Sequence, residues 1–159
     1  MKKILKWTIT AVVVALIVIQ FIGPQKSNPP VEATRTIEAN TQMTPEIAAI
    51  FERSCRDCHS YKTQWPWYSH VAPVSWLLIE HVNDGRRHLN FSEWASYDSK
   101  KARKKLEDIC NEVEEGVMPL KSYLLLHGEA KLSQEEVQKI CAWVEAERQR
   151  LALEGSPGD

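Results

Sequence analysis

Two cysteines separated by two residues, with a histidine directly after the second, stand at Cys55-Arg56-Asp57-Cys58-His59. This C-x-x-C-H spacing suits the covalent capture of a haem. Each thiol adds to one vinyl group, and the histidine on the same turn faces the iron as its proximal ligand. With four Cys and five His in 159 residues, random placement yields such a pentapeptide about 0.003 times per chain. A redox dithiol belongs beside a βαβ pattern, which the chain lacks, and a zinc site needs further ligands at short spacing.

A haem that only passes electrons needs a sixth ligand, and a methionine thioether favours the reduced iron. Met1 precedes the N-terminal apolar run and Met43 lies too near the proximal helix, which leaves Met118 in Gly116-Val117-Met118-Pro119, 59 residues after His59. The competing assignment buries Met118 in the core and gives the distal position to a histidine. His127 is the nearest competitor, and His81 and His88 are weaker ones.

Helices must position these groups. Thr44 reads as an N-cap with Pro45 at the first helical position, and Ile47, Ile50, Phe51 and Cys55 share one face, so this helix runs directly into the cysteine motif. The run from Tyr61 to Pro73 is too rich in proline and aromatics for a regular helix, and its rings either line the haem or pack a loop. His70 there reads as a surface or structural residue. A helix is expected from Pro73 to Val82, stopped at Asn83-Asp84-Gly85. Arg86 and Arg87 beyond it are candidates for pairing with haem propionates or form a solvated turn.

Ser99 is expected to cap a helix from Lys100 to Glu115, and Ser133-Gln-Glu-Glu136 is a capping box that opens the last helix. Lys100, Lys101, Arg103, Lys104 and Lys105 form a basic face, either merely solvated or a docking patch for an acidic redox partner. Cys110 and Cys141 sit on apolar helix faces, as a disulfide or as buried thiols.

At the N-terminus, Lys2, Lys3 and Lys6 precede an apolar run from Trp7 to Ile22. If Lys6 snorkels, this is about the length that crosses a bilayer. The lysines keep the N-terminus cytoplasmic and send the remainder across. Val31-Glu32-Ala33 is the single cleavage-like site and lies well beyond the run, which favours an anchor over a cleaved signal peptide. The expected divisions are a membrane segment at 1–23, a flexible linker at 24–43, a haem domain at 44–153 and a frayed tail at 154–159. Without the first 23 residues the chain holds 17 basic and 21 acidic side chains, a net of −4, which argues against nucleic acid as a partner.

Several runs together resemble the small haem-binding domain family of bacterial monohaem c-type cytochromes. They are Cys55-Arg-Asp-Cys58-His59-Ser60, Thr63-Gln-Trp65-Pro66-Trp67-Tyr68-Ser69, Ala72-Pro73-Val74-Ser75-Trp76 and Gly85-Arg86-Arg87-His88-Leu89-Asn90-Phe91-Ser92, followed by Met118-Pro119, Ser122-Tyr123-Leu124-Leu125-Leu126-His127 and Leu132-Ser133. The likeness spans residues 44–146, and Cys110 and Cys141 fall outside its pattern. The resemblance implies an all-α, cytochrome c-like fold around one covalent haem c on Cys55 and Cys58, with His59 and Met118 as iron ligands.

The expectation is a one-electron carrier without catalytic residues, tethered on the periplasmic side of the bacterial inner membrane and serving redox proteins in or at that membrane. Signal cleavage would leave it soluble in the periplasm. The rival function is a haem-based gas or redox sensor, or a minor peroxidase, with a labile distal ligand. A single attachment motif argues against a dihaem peroxidase, and the lack of a signalling domain argues against a sensor.

Overall fold

The computed structural model of the protein describes residues 1–154, within which there are helices and turns but no strand. Helix α1, Lys2–Val18, continues as a 3-10 turn to Phe21, and none of this segment is buried. Helix α2 spans Ile37–Asn40, α3 Pro45–Ser54, α4 Arg56–His59 and α5 Val74–His88. Helix α6 spans Ser99–Glu114, α7 Lys121–Leu124 and α8 Gln134–Glu154. The frayed tail expected over 154–159 lies, from residue 155 on, outside the described residues.

The two longest helices of the folded body, α6 and α8, pack along one another and are joined by the Cys110–Cys141 disulfide. Of the two states open to these cysteines, the molecule shows the bond. The apolar stripe Ala102, Leu106, Ile109 and Val113 on α6 meets Val137, Ile140 and Val144 on α8, and Leu106 and Ile140 are fully buried. Helix α3 closes the core with Ile47, Ile50 and Phe51. The Phe51 ring stands edge-on to Phe91 at 5.3 Å and to Trp143 at 5.4 Å, an arrangement aromatic pairs prefer.

Local caps follow the sequence where they were legible. Thr44 Oγ1 accepts from Ile47 N, and Ser133 and Glu136 exchange both bonds of the capping box. Two boundaries differ from expectation. Asp98, not Ser99, caps α6, its carboxylate accepting from Lys101 N at 2.7 Å, while Ser99 Oγ donates to Leu151 O. Helix α5 does not stop at Gly85 but runs through it to His88.

The stretch expected to be a flexible linker is strapped to the body. Ile37 is 1% exposed in the core, and Thr36 is buried beside it. The strap is held by α8: Glu147 accepts from Gln42 N at 2.9 Å, Trp143 Nε1 donates to Gln42 O, and Arg150 donates to Asn40 O. Glu147 is itself buried, and Arg150 pairs with it at 2.8 Å. A buried carboxylate persists only where such partners compensate its lost hydration.

Candidate functional site

Helix α4 is a single turn, with Cys58 N and His59 N both donating to Cys55 O. On a helical turn residues three and four apart share a face, so both thiols and the imidazole point the same way. Cys55, Cys58 and His59 line a cavity of about 670 Å³ together with Met118, a volume within the range of ligand pockets. Phe51, Phe91, Ile109, Val113 and Leu132 make its walls largely apolar. Neither thiol is in a disulfide, and both are half-buried. Burial, reinforced by the neighbouring Cys58, pushes Cys55 up to about 12. Burial and the Asp57 carboxylate push Cys58 up to about 11. Both therefore stay protonated at neutral pH, unlike the thiolate of a redox-active dithiol.

His59 is held by α5. Its Nδ1 lies 3.1 Å from both Gly85 O and Leu89 O. Carbonyl oxygens only accept, so Nδ1 carries the proton and Nε2 keeps its lone pair free. This is the tautomer that a metal-ligating histidine requires. Burial also lowers the His59 pKa, which favours the neutral ring.

The contact depends on Gly85. A Cβ there would sit 2.6 Å from Cys58 O and 3.1 Å from its carbonyl carbon. Gly85 thus permits α5 to press on the backbone of α4, which explains a glycine inside a helix where a stop was expected. The sequence signal was available in His81, Gly85 and His88, which continue the helical spacing of α5 beyond Asn83-Asp84.

Met118 is delivered by the end of α6. Gly116, at φ +67°, lets the chain reverse, with Val117 N donating to Glu112 O and Gly116 N to Val113 O. That pair of bonds is a Schellman motif, which satisfies the last carbonyls of a helix. Met118 N is a second donor to Glu112 O, at 3.0 Å.

The rival distal histidine is committed elsewhere. His127 is not among the residues lining the cavity. Its Nε2 is 2.6 Å from Tyr68 Oη, its Nδ1 3.2 Å from Glu129 Oε1, and its ring stacks on Tyr123 at 4.3 Å. His81 and His88 do line the cavity, from α5, the helix that supports His59. His70 is exposed, as expected, beside Lys26.

The two arginines considered for propionates are also occupied. Arg86 donates to Ser60 O, Ser27 O, Asn28 Oδ1 and Thr63 Oγ1, and Arg87 pairs with Glu80 and Asp84. Lys105 is the one Lys or Arg lining the cavity among the described residues.

Sequence reasoning overlooked Asp57. Its carboxylate accepts from Gln64 N at 2.9 Å and from Tyr123 Oη at 3.0 Å, and its carbonyl accepts from Thr63 Oγ1. A residue between the two cysteines thereby ties down the following loop and a ring of the cavity wall. Nothing within the motif marks it, because its partners lie outside the motif, Thr63 and Gln64 in the following loop and Tyr123 66 residues away.

A porphyrin with two vinyl edges and an iron matches this donor set: two neutral thiols, one imidazole of fixed tautomer, one thioether and apolar walls. Comparison with curated proteins and with solved structures returned no match. The sequence profile described as the haem-binding domain matches residues 14–146, most of the chain and the whole of the cavity just described. The protein is therefore a member of the haem-binding domain family.

Proposed function

We propose that the protein is a monohaem c-type cytochrome with a cytochrome c-like fold, a one-electron carrier tethered by α1 on the periplasmic side of the bacterial inner membrane. The observation that carries this reading is the convergence of Cys55, Cys58, His59 and Met118 on one apolar cavity, with the His59 Nδ1 proton already spent on backbone carbonyls. Bound haem supplies the one-electron couple. Cys55 and Cys58 would hold it through thioethers, and His59 Nε2 and the Met118 sulfur would be its iron ligands. The surrounding apolar residues keep water out, which raises the reduction potential. Redox proteins in or at the membrane would be the donors and acceptors.

The Met118→Ala variant tests the ligand set. An electron carrier with His/Met ligation loses its low-spin spectrum and gains carbon monoxide binding. Its potential falls by a fraction of the roughly 0.8 V span that axial ligands control. An unchanged spectrum would remove Met118 from the iron.

A further inference from the structure

Where α1 ends, the chain is pressed against the folded body. Gln20 holds Ala72 with both ends of its amide, Oε1 accepting from Ala72 N at 2.9 Å and Nε2 donating to Ala72 O at 3.3 Å. Gly23 passes Trp76 so closely that a Cβ would lie 2.4 Å from the indole nitrogen.

The surface around this contact is apolar and uncovered. Trp67 is 77% exposed, and Val71, Val74 and Leu77 are exposed beside it. Leu125, 83% exposed, and Leu126 stand on a neighbouring loop, which the 2.6 Å contact of Tyr68 Oη with His127 ties to the segment of Trp67. Carboxylates at its margin are partnered, Glu80 with Arg87 and Glu129 with His127. Lys26 lies at its edge, within 3.4 Å of Ser69 Oγ.

Water-facing apolar side chains are ordinarily scattered, and a cluster marks an interaction surface. An exposed tryptophan and a lysine beside the end of an apolar helix match the residues that favour the headgroup region. We infer that this face rests on the lipid bilayer, with Trp67, Val71, Val74, Leu77, Leu125 and Leu126 at the boundary between headgroups and acyl chains. The inference depends on α1 being a retained membrane anchor, since the Gln20–Ala72 and Gly23–Trp76 contacts are what bring the patch to the bilayer.

The patch adjoins the haem cavity. Val74, Leu77, His81 and His88 lie on one stripe of α5, and His81 and His88 line the cavity. Four residues of helix separate Leu77 from His81, about 6 Å. The domain lying on lipid would therefore hold its haem edge close to the membrane, within reach of an electron partner embedded there.

Nitroxide labels on the full haem-loaded chain in phospholipid nanodiscs test this, attached in turn at Val13→Cys, Leu77→Cys, Leu125→Cys and Gln149→Cys. The parent chain serves as the unlabelled control, and the haem spectrum of each variant shows that the domain is intact. Collision with oxygen, which concentrates in lipid, is compared with collision with a water-soluble nickel chelate. The expected result is an oxygen-to-nickel ratio several-fold higher at Val13, Leu77 and Leu125 than at Gln149. Lipid contact at Val13 with Leu77 and Leu125 as wet as Gln149 would overturn the docked face and leave the anchor standing. A wet label at Val13 would overturn the anchor and the docked face together.

Discussion

Neutral His59, the form that burial favours, carries one ring proton. Gly85 O and Leu89 O take the Nδ1–H bond, and Nε2 is left for a metal. Two glycines make the site possible for opposite physical reasons. Gly85 is needed because of what lies against it, the Cys58 carbonyl at 2.6 Å from a Cβ. Overpacking against rigid backbone costs about 1–3 kcal/mol, more than the roughly 1 kcal/mol that alanine gains over glycine within a helix. Gly85→Ala is therefore expected to lower the urea midpoint and weaken the His59–iron bond, seen as a high-spin fraction in the optical spectrum. Gly116 has open space around it and needs only its left-handed φ of +67°. Gly116→Ala is expected to cost about 1–2 kcal/mol in urea unfolding and to loosen Met118, so that carbon monoxide binds more readily while His59 keeps its place.

At the scale of elements, α6 forms the Met118 side of the cavity. It lines the cavity through Ile109 and Val113, ends in the turn that delivers Met118, and is tied to α8 by Cys110–Cys141 across 31 residues of sequence. Closing a loop of that size stabilises a fold by about 3.7 kcal/mol in the chain-entropy picture. The double variant Cys110→Ser, Cys141→Ser is expected to lose that much in urea unfolding while keeping its haem, since neither sulfur lies in the cavity wall. Thr44 with Pro45 and Ser133 with Glu136 were legible because a cap is decided within four residues. Asp98 and Ser99 were both eligible to cap α6, and the choice is set by Leu151 O, which takes the Ser99 hydroxyl from 52 residues away. Gly85 followed Asn-Asp as a helix stop would, and its real partner is the α4 backbone. The cysteine motif and Met118 stood out by residue type and spacing, and they line one cavity; the haem chemistry those types suggest is the proposal.

For the whole molecule, the body extends further toward the N-terminus than periodicity suggests. Ile37 is the one large apolar residue between Val31 and Met43, so no periodic pattern announced it, yet it is buried in the strap that Glu147, Trp143 and Arg150 hold. A chain beginning at residue 44 should be less stable than one beginning at residue 31 by at least about 2 kcal/mol, the value of burying one isoleucine. Equal urea midpoints would mean that the strap contributes nothing.

The proposed electron carrier requires one haem bound through Cys55 and Cys58 and ligated by His59 and Met118. Optical spectra of the full chain, matured with a haem-attachment system and recorded oxidised, reduced and with carbon monoxide, test this directly when paired with a haem stain after denaturing electrophoresis. The expected result is haem that migrates with the denatured chain, low-spin reduced bands, a sulfur-to-iron band in the oxidised form and no response to carbon monoxide. Haem lost on denaturation would contradict the thioethers, and ready carbon monoxide binding would contradict Met118 as the sixth ligand.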